Sequence, residues 1–354
     1  MQSVLVAAAV PPPRRRRLLR WVLALALAGL LGYVAVALIS GFADGASAIA
    51  DADPGWLLVA VVVEAVAYLL LTTQLRRLIG PDVKLGRRSA IRLAMILCGF
   101  GCITPASPAE GMVITGAELH RRGMSVRRVS VTLGMAEFIS ALAMVGVAAV
   151  NVLFAASQSH LPSGDAVPLI VAALLLLVGL ASVDLFARRQ GTAERLSVVL
   201  GALCCWRPRP SVEARRAAGA AWHAEANTVL GSRRNRALLL GLSAAAWLAD
   251  VVCLYVALAS VGVALPFDVV CLAYTVGVLA TLVPLLPAGL GLVETAVPLV
   301  LHSFGAPLAA AVAGVLAYRC VSTLLPAAVG MACIPGLAAR RRAPRATVAV
   351  PATT

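Results

Sequence analysis

A polytopic helical membrane protein is the fold class this sequence predicts, and three observations carry that prediction. Apolar runs longer than about 18 residues, the length a helix needs to cross hydrocarbon, recur between Leu18 and Ile334. The basic residues, nearly all arginine, flank these runs rather than mixing into them. Two further apolar stretches are broken midway by Pro and Gly, at residues 104–111 and 284–294. The expected architecture is all-α, with about six full spans plus two re-entrant or broken-helix hairpins that form an inverted repeat. At 61% hydrophobic and 13% charged residues, no stretch of the 354 is long and polar enough for a soluble catalytic domain.

The elements follow in order. Residues 1–17 read as a disordered basic N-terminus, and residues 18–338 as one transmembrane domain. Leu18–Ile39 follows Arg14–Arg17 and is too long for a typical signal-peptide core, so a retained first span is expected. Trp56–Thr73 is the second span, with Trp56 and Tyr68 as interface anchors and Glu64 inside it. Ala90–Leu119 has basic clusters at both ends and must return to the face it left, as a hairpin with its tip at Pro105–Gly111. Val129–Phe154 spans and contains Glu137, and Val167–Ala187 spans back. The polar segment 188–236 holds ten arginines, and its part Glu213–Leu230 reads either as an interfacial amphipathic helix or as a solvated loop. Ala237–Val261 spans with Asp250 inside. Asp268–Ser303 has no basic residue at either end and forms the second hairpin, opening to the other face. Leu308–Ile334 is the last span and contains Arg319, and residues 339–354 form a disordered basic C-terminus.

Charge decides the topology. Of the 30 Lys and Arg, all but Arg319 fall on one face of this map. The positive-inside rule makes that face cytoplasmic and puts both termini there, in an inner or plasma membrane. Had either broken stretch crossed only once, the arginines would be split between two faces. The net charge of +14 therefore belongs to membrane orientation and anionic headgroups, and nucleic acid is excluded as a partner. The eight cysteines contain no Cys-x-x-Cys pair and the four histidines are scattered, so neither a metal nor another cofactor is expected.

Within the second broken stretch, Pro284 and Pro287 remove backbone donors, while Gly289 and Gly291 permit conformations other residues resist. Lipid tolerates such a break only inside protein or beside a water-filled cavity. Glu294 follows at once, and a carboxylate at membrane depth costs roughly 2.5–3.5 kcal/mol on insertion scales. The first break repeats the plan. After Glu110 comes Gly123 and then, 14 residues on, Glu137; after Glu294 comes Gly305 and then, 14 residues on, Arg319. Half-helix N-termini at the breaks suit a phosphate. Glu110 and Glu294 are candidates to pair with Arg319, to titrate with substrate or to repel a wrong anion. Arg319 is the candidate to meet a lipid phosphate; a salt bridge to Glu137 or Glu294 is the alternative role. Thr104 and Ser107 are headgroup ligands or local backbone partners. Asp250 and Glu64 are read as packing residues.

These stretches carry a resemblance. Thr104-Pro105, Ala109-Glu110-Gly111, Leu119, Gly123, Pro287-Ala288-Gly289-Leu290-Gly291-Leu292-Val293-Glu294, Phe304-Gly305 and Tyr318-Arg319 are similar to the transmembrane domain of lysyl-phosphatidylglycerol synthases and their stand-alone flippase-like relatives, over about residues 18–338. That resemblance implies lipid or lipid-linked headgroup transport, and a substrate-binding set of Arg319, Glu110, Glu294, Glu137, Thr104, Gly289, Gly291 and Tyr318. Where the family often has a Glu-Arg pair and a nearby Asp, this chain has Glu137-Phe138-Ile139-Ser140, so only the Glu carries over. No counterpart of the synthases' aminoacyl-transferase domain is present, and lysyl transfer is not expected. The partners implied are membrane lipids, anionic or phosphate-linked, with a homo-oligomer open. A membrane enzyme acting on lipid phosphates and an accessory or regulatory membrane protein are the competing classes. An enzyme of that kind needs His, Asp pairs or metal ligands in register, and only His120 near Glu118 comes close, at a rim where both are expected to be solvated.

Overall fold

The computed structural model describes residues 52–81, 83–100, 109–157, 212–281 and 291–342, and every regular element among them is helical. The predicted spans over 18–39 and 167–187 lie outside the described residues. Among the described residues, four helices are long and apolar enough to cross a membrane: α1 (Pro54–Ile79), α4 (Val126–Ser157), α6 (Arg233–Ser260) and the composite last span Leu308–Ile334. Each of the first three runs several residues beyond its apolar core. Polar ends extend them: Asp53 caps α1 by accepting from Gly55 N–H at 2.7 Å, Pro54 opens it, and Ser232 caps α6 by accepting from Asn235 N–H at 3.3 Å. Leu58, Val62, Val66 and Leu69 line one exposed face of α1, while Ala60, Glu64, Ala67 and Leu75 are buried on the other. An apolar face of that kind is covered by lipid in a membrane. Trp56 at the end of α1 is half exposed as an anchor should be, but Tyr68 is buried in the bundle.

Antiparallel packing of α1 on α6 forms the centre. Asp53 N–H donates to Ser260 O at 2.8 Å at one end, and Ser243 Oγ donates to Gln74 Oε1 at 2.8 Å nearer the basic end. Such interhelical bonds in bilayers are worth on average about 0.6 kcal/mol each, so they set register more than they supply stability.

Each central helix leads into a hairpin. After α1 come α2 (Arg87–Ala94), a π-helical turn Met95–Phe100 (π1), and α3 (Ala109–Arg121), followed by α4. After α6 come α7 (Phe267–Thr281) and α8 (Val293–Ser303), followed by α9 (Leu308–Arg319), a second π-helical turn Cys320–Leu324 (π2), and α10 (Leu325–Arg342). The packing of the two units is reciprocal. The leading limb of the first hairpin packs on α1 and on α10, the last helix of the second unit. The leading limb of the second hairpin packs on α6 and on α4, the last helix of the first unit. The first hairpin shares a core with Leu75 and Ile79 at the basic end of α1, and Phe304 of the second packs on Ala149, Val152 and Ala155 at the other end of α4. The hairpins thus enter from opposite ends, as the charge map requires.

The turns that close the hairpins are the same device. Met124 N–H donates to Leu119 O at 3.2 Å and Gly123 N–H to His120 O at 3.0 Å; Ala306 N–H donates to Leu301 O at 3.1 Å and Gly305 N–H to His302 O at 2.9 Å. Gly123 and Gly305 sit at φ 101° and 98°, where a side chain is strained. In both turns the histidine Nδ1 donates to the carbonyl three positions past the helix, His120 to Met124 and His302 to Ala306, each at 2.8 Å. Leu119 and Leu301 are both fully buried. Three identical residues at identical spacing, Leu, His and Gly, therefore mark the repeat more sharply than the break motifs do.

Close approach holds the first hairpin on the last span. A Cβ on Gly330 would lie 2.4 Å from Met95 O, and one on Gly99 would lie 2.4 Å from Pro326 O. Pro326 also withholds a backbone donor from the turn before it, which is where π2 widens the helix. The segment Glu213–Leu230, expected as an interfacial helix or a loop, lies in a helix, α5 (Val212–Leu230), that buries Ala226 and Val229 against α1, α4 and α6. Cys253 and Cys271 are buried, whereas Cys320 of the last span is exposed.

Candidate functional site

The break of the second hairpin places a charge pair. Gly291 turns the chain at φ 84°, and α8 starts two residues later with Glu294 in its first turn. Gly291 N–H donates to Glu294 Oε2 at 2.7 Å, and Arg319 Nε donates to Glu294 Oε1 at 2.7 Å. Thr295 Oγ1 adds a bond back to Gly291 O. The Glu294 and Arg319 side chains are 7% and 12% exposed. The positive end of α8 is therefore already occupied by an anion, the carboxylate of its own Glu294. Sequence left Glu137 and Glu294 as equal candidates to pair with Arg319, and the structure chooses Glu294. Glu137 is half-buried on α4 with no hydrogen-bond or ion-pair partner among the described residues.

Arg319 ends α9 directly before π2, and its neighbour Tyr318 reaches a second group. Tyr318 OH donates to Asp250 Oδ2 at 2.9 Å, and Tyr274 OH donates to the same oxygen at 2.7 Å. Glu64, on α1, stands opposite Asp250 in the antiparallel register that Asp53 N–H to Ser260 O, Cys253 Sγ to Ala60 O and Ser243 Oγ to Gln74 Oε1 set between α1 and α6. Five helices thus meet at one polar cluster inside an apolar bundle: α1 with Glu64, α6 with Asp250, α7 with Tyr274, α8 with Glu294 and α9 with Tyr318 and Arg319. Asp250 and Glu64, read from the sequence as structural residues, both lie in this cluster. The sequence signal for them was their depth within apolar spans, the same signal that singled out Glu294. For Tyr274 the sequence holds none.

Of the predicted site residues, Arg319, Glu294, Tyr318 and Gly291 are brought together. Thr104, Ser107 and Gly289 lie outside the described residues. Glu110 is the second residue of α3, as Glu294 is of α8, but α3 has 13 residues to the 11 of α8. Counted back from the shared turn, Glu294 matches Met112. Glu110 is half-buried and is not part of the cluster. Of the rim pair expected to be solvated, His120 is exposed and Glu118 is buried. Burial alone would raise the Glu118 carboxyl, but bonds from Arg121 and Arg122 outweigh it and hold it below the usual range. His120 is committed to Met124 O.

A separate apolar groove of about 410 Å³ opens between α3 and α4, lined by Met112, Val113, Gly116, Val129 and Leu133, with His120 at one end. It contains none of the cluster residues.

The chain is similar to a UPF0104 membrane protein of Methanothermobacter thermautotrophicus, 23% identical over 322 residues that cover 87% of this chain and 93% of that protein. The family model described as the lysylphosphatidylglycerol synthase TM region matches residues 18–330, a stretch that takes in both hairpins, both shared turns and every residue of the buried cluster. This integral membrane protein belongs to that family.

Proposed function

We propose that this protein moves anionic lipids or lipid-linked phosphates between the leaflets of the cell membrane, with Arg319 as the phosphate ligand. One observation carries the reading: a buried Arg–Glu pair stands where a broken helix exposes its N-terminus within a membrane bundle. In transporters built from inverted repeats, substrate sites lie at such breaks. At rest Glu294 takes the Gly291 N–H, the positive end of α8 and Arg319. A lipid phosphate carries the same charge and matches a guanidinium well. Its arrival displaces Glu294, and its departure lets Glu294 return, so the arginine is never left without an anion. The groove between α3 and α4 has the size and apolar lining to hold an acyl chain while the headgroup crosses. The basic end of the bundle faces the cytoplasm, with both termini on that side.

The test is a leaflet-resolved assay of fluorescent phosphatidylglycerol in liposomes holding the purified protein. Arg319→Lys, which keeps the charge and loses the planar fork, is expected to slow transfer roughly tenfold or more, the worth of one charged hydrogen bond. Transfer at the full rate in both Arg319→Lys and the double variant Arg319→Met/Glu294→Gln would overturn the reading.

A further inference from the structure

The cluster holds more acid than its hydrogen bonds satisfy. Arg319 is bonded to Glu294, and both tyrosines donate to one oxygen of Asp250. The other Asp250 oxygen, Oδ1, is buried with no hydrogen-bond partner, and so is Glu64 Oε2. Glu64 as a residue is 7% exposed. Ionised carboxylate oxygens buried without donors are costly enough that such groups take up a proton instead. Two carboxyls that feel each other's charge bind and lose protons as a pair.

We infer that Glu64 and Asp250 hold one proton between them through these two unpartnered oxygens, and that the pair is the proton-coupling site of the transport cycle. The groups that bear on it come from every helix that meets there. From α6 these are Asp250 and Cys253, whose Sγ donates to Ala60 O. From α7 and α9 they are Tyr274, Tyr318 and Arg319, and from α8 Glu294 acts through Arg319. Glu137 of α4 takes no part in these bonds. The link to the lipid site is one peptide bond long: Tyr318 holds Asp250 while Arg319 holds Glu294. When Glu294 is displaced from Arg319, the cluster gains negative charge and the pair takes up a second proton from water. When the lipid phosphate leaves and Glu294 returns, that second proton is released and the first stays on the pair. Lipid anion and proton therefore travel in the same direction. No bond other than the carboxyl O–H forms or breaks, and the proton comes from and returns to water.

The coupling rests on the transport reading; the proton site does not, and the experiment keeps the two apart. Infrared difference spectra of the full-length protein in lipid nanodiscs are recorded as pH is varied. A carboxylic-acid C=O band present at neutral pH in the native protein, and lost in Glu64→Gln and in Asp250→Asn, is the expected result. Absence of that band from the native protein at neutral pH overturns the site, and this measurement needs no variant to fold. In the liposome assay with fluorescent phosphatidylglycerol, a pH gradient acid on the starting side is expected to accelerate native transfer several-fold. A rate that ignores the gradient overturns the coupling. The band without any lipid transfer supports the proton site and refutes transport of that lipid.

Discussion

The two hairpin units share a scaffold and differ in chemistry. Each runs helix, broken hairpin, Leu-His-x-x-Gly turn, helix, and each closes its turn with the same histidine bond. Fourteen residues past the turn glycine, the first unit has Glu137 and the second has Arg319. Glu137 lies in an uninterrupted α4 without a partner among the described residues, whereas Arg319 ends a helix at a π turn and is bound to Glu294. The two units share a frame, and the Arg–Glu pair stands only at the break of the second.

The strongest way to break this comparison is to remove the charge that only one unit has. Arg319→Met leaves Glu294 buried and unpaired, and is expected to cost about 3–5 kcal/mol, read as a fall in thermal unfolding temperature in nanodiscs. Adding Glu294→Gln should recover most of that loss. Glu137→Gln, at the matching position, should leave stability unchanged or raise it, because it removes a half-buried carboxylate that has no partner. A loss from Glu137→Gln as large as that from Arg319→Met would show that both positions carry equal structural charge roles.

Packing gives a smaller contrast. Gly330→Ala drives a methyl into Met95 O at the contact between the last span and the first hairpin, and is expected to destabilise by about 1–3 kcal/mol. Gly134→Ala on α4 meets nothing within 4 Å and should be neutral or stabilising by up to ~1 kcal/mol, the helix propensity gain. Equal effects in the two variants would mean that the hairpin does not seat on α10.

The histidine turns sharpen the likeness instead. His120→Ala and His302→Ala each remove one bond of the same length to the same relative carbonyl, so each should cost about 1 kcal/mol. A twofold disagreement between them, measured by unfolding, would argue against a common turn.

What the sequence made legible follows from how membranes constrain it. Among the described residues, the positions of four spans and the helix ends that flank the two breaks were readable, because lipid penalises charge and unpaired backbone at particular depths. The repeat was readable from Gly123 and Gly305 with their 14-residue offsets. The partner of Arg319 was not, since spacing places Glu137 and Glu294 alike and only the break geometry around Gly291 puts one carboxylate on the guanidinium. Asp250 and Glu64 were visible as charges but not as neighbours, because the contact that joins them crosses 186 positions of chain between residues 64 and 250. Tyr274 gave no signal at all: a tyrosine in an apolar run is ordinary until its hydroxyl is seen to meet a carboxylate. The reciprocal packing of the units is a property of the assembled bundle, and no local pattern encodes it.

The mildest contrast concerns pH at the two turns. Counting from the shared glycine, Glu118 of the first turn matches Val300 of the second, and Arg121 and Arg122 match Ser303 and Phe304. The first turn therefore carries an ionic clasp at the basic end, and the second an apolar one. Glu118 has its folded-state carboxyl held below the usual range, against the effect of burial, by Arg121 and Arg122. A depressed carboxylate contributes stability that is present above its unfolded pKa and lost as pH falls through the folded value. That window lies below about pH 4 for a glutamate. Amide exchange at residues 119–124, corrected for intrinsic rates, should therefore accelerate on acidification relative to residues 301–306. The effect is expected to stay under ~1 kcal/mol, since Arg121 is partly exposed. Glu118→Gln should abolish the difference. If both turns loosen together in the native protein, the clasp contributes nothing to the first turn.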